Sequence, residues 1–454
     1  KIKFWYKLKK MKIDKTDLIN FFNSGCKRPE NMMIGTEHEK FLFNLKTCKP
    51  VNINGPEPNL QSIFEKLKSN NWNVVEEQGV TIGFNKDNLN ITFEPGYQIE
   101  LSGDTQSNIH QTCIEVNSYL KELKNICTSI GVGIIGIGFI PNVKIEEVPK
   151  LEKKRYQIMR DYMPNVGSLG LDMMHRTAAT QINVDYSSEE DFKKKCKVAS
   201  CLVPIAATLF SNSPFRDNKL NKFLSNRSYI WQDTDKNRSG LVPFFFEENS
   251  FEKYCDFALD VPMYFIQREK EIIDCKGLSF KKFLYNNEKK LAKYEATLDD
   301  WKNHLSTIFT EVRLKQYLEI RSADSCSWSG ICSIPAFWTG LLYDTSVLDE
   351  ALEYVKYWNF NEVNKAYHEV ALRGFKTELD EKSIRTHAEY FLRLSRKGLE
   401  TRNILNSNNE DESCFLSEIE NIITKSQTPS EKLVLRFKKQ YNNNLNNLIK
   451  NEAF

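Results

Sequence analysis

The sequence predicts an α+β protein in which helices cover one face of an antiparallel or mixed sheet. Four short segments alternate apolar and polar residues, which is the period of a strand half buried in a sheet. Longer segments carry apolar residues at intervals of three and four, which is the period of an amphipathic helix. Because polar residues occupy the second face of every predicted strand, we expect one side of the sheet to be free of helices.

The composition excludes several classes of protein. Hydrophobic residues make up 41% of the 454 residues, which is enough for a large core and excludes a mainly disordered chain. The 63 Lys and Arg balance 60 Asp and Glu, so nothing indicates nucleic acid as the main partner. No apolar run reaches the roughly 18 residues of a membrane span. Eleven cysteines are too few for a disulfide scaffold and are typical of a reducing compartment.

The chain is predicted to form one large unit after a short extension. Its length alone allows about three domains at roughly 150 residues each. However, apolar periodicity resumes directly on both sides of the polar loop 403–413 and of the lysine-rich surface loop or hairpin 285–297. We therefore expect a basic, disordered extension at residues 1–13 and a single domain at residues 14–448. The extension lacks the apolar core of a secretory signal.

The predicted strands lie, in chain order, at residues 35–43, 97–102, 177–185 and 312–321. Each segment keeps a period of two without a break and so predicts one continuous strand. On the polar face of the first strand, Glu37 and Glu39 lie about 6.6 Å apart. The polar faces of the other strands add Gln98, Glu100, Ser102, Thr177, Gln181, Asn183, Asp185, Arg313, Glu319 and Arg321.

The predicted helices lie between these strands and after them. The clearest is 109–130, where apolar residues at spacings of three and four form one helical face. Segment 429–448 begins with a proline and an acid in its first turn, which is typical of a helix start. Further helices are predicted at 189–210, 345–357, 380–398 and 414–425.

The polar sheet face gathers more carboxylates than a solvated face usually carries. Glu37, Glu39, Glu100 and Glu319 lie on it, and Glu94 precedes a Pro-Gly pair that fits the centre of a type II turn. Clustered carboxylates repel one another, so they need arginines or a hard cation such as Mg²⁺ between them. Ordinary surface ion pairs are the alternative interpretation of the same residues.

A second candidate site is the polar segment 225–240, which lies between two apolar regions. Its arginines, Arg227 and Arg238, present planar sets of donors that bind carboxylate or phosphate groups. A solvated loop is the alternative. Trp231 favours a binding loop, because we expect a large aromatic side chain to be at least partly covered.

The glycine run at 131–136 matches the dinucleotide-binding pattern G-x-G-x-x-G but not its structural setting. That pattern functions after a strand and at the start of a helix, whereas here a predicted helix precedes the glycines. We therefore predict a glycine-rich buried strand over 134–140. The sequence contains neither a GxxxxGK[ST] phosphate-binding loop nor the spacing of zinc ligands.

A set of motifs in a fixed order is the most specific feature of the sequence. It comprises GTEHEKF (35–41), EPG (94–96), QIELSG (98–103), HQTCIEVN (110–117), RDYMP (160–164), GLDMM (170–174), IWQDTD (230–235), DVPMYF (260–265), YLEIR (317–321) and PAFW (335–338). Together these motifs resemble the glutamate–cysteine ligases of plants and α-proteobacteria, and the resemblance extends over about residues 14–440.

The resemblance implies a glutamine-synthetase-like fold, in which a curved antiparallel sheet forms a funnel lined by acids. It also implies that residues 14–448 form a ligase domain that joins the γ-carboxylate of L-glutamate to L-cysteine. ATP is consumed to ADP and phosphate through a γ-glutamyl phosphate, in the first step of glutathione biosynthesis. By the same resemblance, two or more Mg²⁺ ions bind to Glu37, Glu39, Glu94, Glu100 and Glu319. The implied catalytic residues are Arg176, Arg321 and Glu319, and the implied substrate-binding residues are Arg227, Trp231, Arg238 and Met173.

The cysteines match those of the redox-regulated plant enzymes only in part. Cys113 and Cys332 match one of the two plant disulfides, and a pair of buried thiols is the alternative. Cys275 matches half of the second disulfide, but the segment that follows offers no partner. Two other positions depart from the family pattern, which usually has glycine in place of Tyr97 and leucine in place of His175. We expect Tyr97 to narrow the mouth of the site.

Other functions remain open on the sequence alone. A ligase of the same fold that joins glutamate to another amine would carry the same motifs. A non-catalytic relative that binds amino acids or nucleotide is disfavoured, because five clustered acids are unfavourable without a cation. We expect small-molecule partners, no nucleic acid and no membrane, with the chain as a monomer or weak homodimer. We expect a cytoplasmic location, with a plastid or another organelle as the alternative.

Overall fold

The structure is a computed structural model that describes residues 12–269 and 271–454. Residues 1–11 of the predicted extension lie outside the described residues, so the division into an extension and one domain stays a prediction. Within the described part of the chain, no helix is both long enough and apolar enough to cross a membrane.

The strands of the described residues form one large sheet and four two-stranded ribbons. In chain order they are β1 Ile34–Asn44, β2 Asn73–Glu77, β3 Val80–Lys86, β4 Leu89–Phe93, β5 Ile99–Ser102, β6 Val132–Ile135, β7 Ala179–Val184, β8 Phe215–Arg216, β9 Lys219–Leu220, β10 Ser239–Gly240, β11 Phe265–Arg268, β12 Glu271–Asp274, β13 Phe309–Thr310, β14 Val312–Leu314, β15 Leu318–Asp324, β16 Glu378–Leu379 and β17 Lys382–Ser383. The large sheet has the order β14-β15-β7-β1-β5-β4-β3-β2, and β6 also pairs with β1. Its pairings are antiparallel, which confirms the predicted sheet type.

Helices surround this sheet. They are α1 Lys15–Asn23, α2 Leu60–Ser69, α3 Ile109–Thr128, α4 Lys154–Tyr162, α5 Gly170–Arg176, α6 Glu189–Cys201, α7 Val203–Leu209, α8 Asn226–Trp231, α9 Phe251–Asp260, α10 Phe280–Leu284, α11 Leu298–Leu305, α12 Ser333–Leu342, α13 Thr345–Tyr354, α14 Phe360–Arg373, α15 Ile384–Arg402, α16 Ser417–Thr424, α17 Pro429–Lys439 and α18 Leu445–Glu452.

Strand β1 shows how the sheet separates its two faces. Helices α3 and α12 pack against it, and the ring of His38 contacts Tyr119 of α3 with 5.9 Å between ring centroids. His38 and Lys40 are buried on this side. Because side chains alternate along a strand, Glu37 and Glu39 project to the opposite side, as the sequence predicts.

Segment 312–321 is a hairpin and not the single strand predicted. β14 and β15 occupy its two ends and pair antiparallel, with Arg313 opposite Glu319. The N–H of Lys315 donates to the carbonyl of Tyr317 (2.8 Å) between the two strands. The prediction failed because paired residues of a hairpin project to the same face, so the alternation continues through the turn.

Most of the predicted helices are present, and two of them are divided. Segment 189–210 holds α6 and α7, and Pro204 at the start of α7 lacks the N–H that a continuous helix would need. Segment 429–448 holds α17 and the start of α18. Segment 285–297 is a loop with a single 3₁₀ turn. The glycine-rich strand predicted over 134–140 is found only as β6, which ends earlier.

Candidate active site

A cavity of about 240 Å³ opens on the polar face of the large sheet. Acids from β1, β5 and the turn before β5 form one wall, and residues of α4, α5 and α8 form the opposite wall. Helices therefore also lie over the polar face, which corrects the expectation that this side of the sheet is free of them. The charged lining residues are Glu37, Glu39, Glu94, Glu100, Arg155, Arg313 and Arg321.

Strand register places the acids in one group. β1 and β5 pair so that Glu39 lies directly opposite Glu100, and the Cβ atoms of such cross-strand neighbours are about 5 Å apart. Glu37 shares their face, and its carboxylate accepts a hydrogen bond from Nδ2 of Asn183 (3.0 Å). Glu94 lies at the beginning of the turn between β4 and β5. The structure therefore brings together four of the five predicted acids.

Burial and mutual repulsion raise the pKa values of Glu39, Glu94 and Glu100. Burial is the main cause that raises the pKa of Glu39 to about 8, and the charge of Glu94 is the second. Burial also raises the pKa of Glu100 well above its usual range, with added repulsion from Glu94, Glu37 and Glu39. A cation between these oxygens would relieve the repulsion and favour the ionised form.

The turn that carries Glu94 is not the type II turn predicted. The carbonyl of Glu94 accepts from the N–H of Tyr97 (2.8 Å), and the N–H of Glu94 donates to the carbonyl of Gln98 (2.9 Å). The positive φ lies at Tyr97 (58°) and not at Gly96, as in a type I turn followed by a left-handed residue. Gly96 is needed for another reason, because a Cβ there would collide with the carbonyl oxygen of His175.

Both departures from the family pattern lie at this turn. The buried ring of His175 places Nδ1 3.1 Å from the carbonyl oxygen of Pro95, so this nitrogen carries the proton of the hydrogen bond. Tyr97 packs its ring against Phe93, with 5.9 Å between centroids. Tyr97 does not belong to the cavity lining, which corrects the expectation that it narrows the mouth.

Glu319 is not a lining residue of the cavity, and it is buried beside the lining residues Arg313 and Arg321 in a network of ion pairs. Its carboxylate accepts from Arg313 (2.6 and 3.0 Å), Lys315 (2.8 Å) and Arg321 (2.5 Å). Burial favours the neutral acid, but the three cations outweigh burial and hold the pKa of Glu319 well below its usual range. Because like charges repel, this saturated carboxylate does not fit the magnesium-ligand role predicted for it. Its position fits a residue that orients Arg321.

Arg155 is a cavity residue that the sequence reasoning missed. Its guanidinium group stacks on the rings of Phe265 (5.5 Å) and Tyr156 (5.8 Å), and its Nε is buried without a hydrogen-bond partner. Its charge opposes the rise in the pKa of Glu94 that burial causes. One sequence signal was available, since three consecutive cations occupy the N-cap and the first two positions of α4. A helix N-terminus favours anions, so cations there indicate an anionic ligand.

Trp231 and Arg321 form the wall between the sheet and α8. The guanidinium group of Arg321 lies 5.7 Å from the centre of the Trp231 ring and also donates to Oε1 of Gln181. Arg227, one turn earlier on α8, is buried and donates to the carbonyl of Arg321 (2.7 Å). Met173 of α5 lines the cavity too. Of the predicted substrate-binding residues, Trp231 and Met173 therefore reach the cavity directly, whereas Arg227 lies beside it.

Arg176 and Arg238 are not lining residues of the cavity, which corrects the positions predicted for them. Arg176 forms ion pairs with Asp172 (2.9 Å) and Asp217 (2.5 Å). Arg238 is fully buried, bound to Asp235 (2.6 Å) and to two backbone carbonyl groups. In this structure the partners of both arginines belong to the protein itself, and whether either arginine contacts substrate stays a prediction.

The four cavity acids fit a divalent cation by their chemistry. Carboxylate oxygens are preferred ligands of Mg²⁺. Burial and mutual repulsion outweigh the nearby cations and raise the pKa values of Glu39, Glu94 and Glu100, and a divalent cation would favour their ionised forms. Within the described residues, no three acidic, histidine or cysteine side chains are gathered into a metal cage. Mg²⁺ commonly binds to one or two carboxylates plus substrate phosphates, so the donor set fits without such a cage.

The cysteine prediction is confirmed for one pair. Cys113 of α3 and Cys332 before α12 form a disulfide, with 5.7 Å between their Cα atoms. Cys275 is a buried free thiol, in agreement with the expected absence of its plant partner.

A larger cleft of about 930 Å³ lies elsewhere, between α6, α9 and α13. Four of its five lysines are paired with neighbouring acids, as in Lys194–Asp349 (2.6 Å) and Lys253–Glu248 (3.0 Å). Paired surface charges leave little net field for an ionic substrate. The acid-lined cavity is therefore the better candidate active site.

Comparisons with curated proteins find close relatives in plants. The relative named glutamate–cysteine ligase B, chloroplastic, from Oryza sativa subsp. japonica is 44% identical over 423 residues, which cover 93% of this chain and 84% of the rice protein. The relative named glutamate–cysteine ligase, chloroplastic, from Arabidopsis thaliana is 44% identical over 423 residues, which cover 93% of this chain and 79% of that protein.

A solved structure shares the fold. The crystal structure of glutamate–cysteine ligase from Francisella tularensis in complex with AMP aligns with a TM-score of 0.56, over 94% of this chain and 88% of that chain. At 11% identity this likeness concerns the fold alone, and it confirms the predicted α+β class. Residues 33–451 match the family described as Glutamate-cysteine ligase family 2. With this match and 44% identity to the plant relatives, the chain belongs to glutamate–cysteine ligase family 2.

Proposed function

We propose that the protein is an ATP-dependent glutamate–cysteine ligase, which catalyses the first step of glutathione biosynthesis. The observation that carries the proposal is the pairing of Glu39 with Glu100 in one cavity with the guanidinium groups of Arg155 and Arg321. Transfer of a phosphoryl group to a carboxylate needs acids that hold Mg²⁺ and cations that stabilise phosphate oxygens. The cavity offers both, and the names of the plant relatives support the two amino-acid substrates.

The proposed reaction has two steps. An oxygen of the glutamate γ-carboxylate attacks the γ-phosphorus of ATP, the bond to ADP breaks, and γ-glutamyl phosphate forms. The cysteine amine then attacks the acyl carbon, phosphate leaves with the bonding electrons, and the nitrogen loses a proton. Negative charge accumulates on phosphate oxygens in the first step and on the acyl oxygen in the second, so fixed cations lower both barriers.

We assign the acids to the metal. Glu37, Glu39, Glu94 and Glu100 would hold Mg²⁺, which supplies positive charge to the phosphates when bound. This set omits Glu319, whose oxygens already bind three cations.

We assign the opposite wall to the substrates. Arg155 and Arg321 would bind carboxylate or phosphate oxygens, because a guanidinium group offers two parallel donors to such groups. Met173 and its neighbours Met159 and Met174 form a thioether wall of the same cavity. An apolar, polarisable wall suits the thiol of cysteine better than a charged side chain, and this favours cysteine over other amines.

The partners and the compartment follow from the same proposal. L-Glutamate, L-cysteine and ATP would be the partners, with the chain as a monomer or weak homodimer that does not use nucleic acid. The plant relatives carry the word chloroplastic in their names, which supports a plastid as an alternative to the cytoplasm.

Product analysis tests the proposed function directly. The purified protein is supplied with MgATP, with glutamate, cysteine, both or neither, and ADP and γ-glutamylcysteine are measured by mass spectrometry. We expect both products only with both amino acids. Turnover with another amine but not with cysteine would favour the alternative ligase, and binding without any turnover would favour a non-catalytic relative.

A pair of variants on α4 tests the cavity as the active site. We expect Arg155→Ala to lower kcat/KM at least about 100-fold, because a desolvated guanidinium group that stabilises a phosphate is worth several kcal/mol. Lys154→Ala is the matched control, since it removes an exposed cation from the preceding position of the same helix. We expect its kcat/KM to stay within about twofold of the wild type. Equal activity of the two variants would place the chemistry elsewhere.

A further inference from the structure

Asp324 is a buried carboxylate that the proposed reaction does not use. It is the last residue of β15 and is 1% exposed. Its Oδ2 accepts from the N–H of Asn212 (2.8 Å) and the hydroxyl of Ser213 (2.6 Å), and its Oδ1 accepts from the hydroxyl of Ser225 (2.9 Å). Hydrogen bonds to a charged acceptor are stronger than neutral ones, so these three donors are held firmly.

Two of these donors, Ser225 and Ser213, also bind backbone N–H groups of helix α8. The Oγ atom of Ser225 accepts from the N–H of Ser228 (2.9 Å) and caps the helix. The Oγ atom of Ser213 accepts from the N–H of Arg227 (3.3 Å). α8 has six residues, too few for a stable isolated helix, so its position depends on contacts with its neighbours. These two hydrogen bonds tie its first turn, and packing against α5 and α14 adds to them. The helix ends at Trp231, which lines the cavity.

A second set of contacts joins the same helix and strand closer to the cavity. Nη2 of Arg227 donates to the carbonyl of Arg321 (2.7 Å). The Trp231 ring lies 6.0 Å from the guanidinium group of Arg227 and 5.7 Å from that of Arg321. β15 and α8 are therefore joined at two places along β15, by Asp324 behind the cavity and by Arg321, which contacts Arg227 and Trp231 beside it.

The packing around Asp324 explains why the glycine-rich segment has glycine at two positions. A Cβ on Gly138 would overlap the carboxyl group of Asp324, and a Cβ on Gly136 would overlap the carbonyl oxygen of Cys326. The N–H of Gly138 donates to the carbonyl of Asn212 (2.9 Å). These glycines, which continue a dinucleotide-like pattern in the sequence, leave room for the end of β15 and for its buried acid.

We propose that Asp324 is a positioning residue that fixes α8 against β15 and thereby sets the place of Trp231 and Arg227 at the active site. It is not a lining residue of the cavity and acts through Ser225 and Ser213. The proposal rests on the proposed ligase function, because the ligase reaction is its readout.

Three variants of the full chain test this role. Asp324→Ala removes all three hydrogen bonds, whereas Asp324→Asn keeps the shape and an acceptor oxygen. Glu412→Ala is the matched control, because Glu412 is also fully buried and its carboxylate accepts from the N–H of Ile109 (2.7 Å) and from Arg402 (2.9 Å), away from the cavity lining. Michaelis constants for glutamate, cysteine and ATP, kcat and the midpoint of thermal unfolding are measured for each variant.

We expect Asp324→Ala to lower kcat/KM for at least one substrate 30-fold or more, and Asp324→Asn to stay within fivefold of the wild type. Glu412→Ala should lose thermal stability to a similar extent and keep its kcat/KM within threefold. Equal kinetic losses in Asp324→Ala and Glu412→Ala would reduce Asp324 to a structural residue and overturn the proposal, as would unchanged kinetics in Asp324→Ala.

Ser225→Ala provides a second route if Asp324→Ala does not fold. It removes one hydrogen bond to Asp324 together with the helix cap, and we expect at least a fivefold loss of kcat/KM. Kinetics like those of the wild type would overturn the proposal. A wild-type protein without ligase activity would instead contradict the proposed function, so the two failures are distinguishable.

Discussion

At the scale of single residues, Glu319 shows how charge balance decides what a carboxylate does. Glu39 and Glu100 face each other without enough cations, and burial and repulsion raise their pKa values. Glu319 is equally buried, but Arg313 and two other cations surround it. The pair of Glu39 and Glu100 therefore attracts a cation, whereas Glu319 already binds three. The same residue type on the same sheet face therefore occupies two different electrostatic environments.

The role of Glu319 leads to a prediction about stability. We expect Glu319→Gln to lower the free energy of unfolding by about 3–5 kcal/mol, because the change leaves buried cations without their counter-charge. Urea unfolding of the wild type and the variant measures the difference. A variant that unfolds like the wild type but needs more Mg²⁺ for activity would instead place Glu319 among the metal ligands.

Tyr97 allows a prediction in which two effects oppose each other. Its left-handed φ of 58° costs about 1–2 kcal/mol for a residue other than glycine, while its buried ring contributes about 2–3 kcal/mol. We therefore expect Tyr97→Gly to destabilise the protein by about 1 kcal/mol, as measured by urea unfolding.

Tyr97→Phe is the control for this change. It keeps the ring and the backbone strain, so we expect its stability within about 0.5 kcal/mol of the wild type. A more stable Tyr97→Gly protein would mean that backbone strain outweighs the packing of the ring against Phe93.

The site residues were only partly predictable from the sequence. Alternation along β1 and β5 identified Glu37, Glu39 and Glu100, because a period of two settles which side chains share a face. Arg176 and Arg238 were expected at the substrate and lie outside the cavity lining, paired with aspartates, because a pattern cannot tell an arginine that binds a ligand from one that pairs with a nearby aspartate. Whether the acids bind Mg²⁺ stays a prediction.

At the scale of secondary structure, segment 312–321 shows where periodicity fails. Arg313 and Glu319 are paired across the hairpin and lie six positions apart in sequence, an even number, so the alternation has the same phase in both strands. Only turn residues would reveal the reversal, and the Lys-Gln-Tyr sequence between the strands contains no glycine, proline, asparagine or aspartate. Helix ends with caps or prolines, such as the start of α17, were predicted more reliably.

Helix α11 carries a buried histidine that makes stability depend on pH. His304 is buried and its Nε2 lies 2.7 Å from the carbonyl oxygen of Ala258. Burial lowers its pKa to about 4, and the charge of Arg238 acts in the same direction. The unfolded chain therefore binds a proton more readily between pH 6.5 and 4. Stability from this group is complete above pH 6.5 and is lost as the pH falls toward 4.

The size of this effect can be measured with one substitution. At pH 5 we expect the protonation of His304 in the unfolded chain to lower the free energy of unfolding by about 2 kcal/mol relative to pH 7.5. In His304→Gln this contribution is absent, so the loss between the two pH values should be about 2 kcal/mol smaller than in the wild type. If urea unfolding shows the same loss of free energy between the two pH values for the wild type and for His304→Gln, the burial assigned to His304 is contradicted.

At the scale of the whole molecule, the sheet joins residues that are far apart in the chain. β1 lies between β5 and β7, and β7 connects it to β15, so Glu39 and Arg321 come together in one cavity. The alternating pattern predicted each strand face and the sheet class. It did not predict the strand order, because many orders satisfy the same pattern of apolar faces.

The disulfide between Cys113 and Cys332 connects two helices, α3 and α12, that lie far apart in the sequence. Cys113 lies in the first turns of α3, and Cys332 is the residue before α12. The cysteines are 219 positions apart, so the bond closes a loop of almost half the chain.

We expect this disulfide to stabilise the fold mainly by restricting the unfolded chain. Loop closure of this length corresponds to about 5 kcal/mol in the chain-entropy account, and loss of native disulfides typically lowers the free energy of unfolding by about 2–5 kcal/mol. Thermal unfolding with and without a thiol reductant measures the effect, and the midpoint should fall when the bond is reduced. Cys332→Ser should unfold at the lower midpoint in both conditions, because no bond remains to be reduced. A reductant that lowers the midpoint of Cys332→Ser as much as that of the wild type would show that another thiol is responsible.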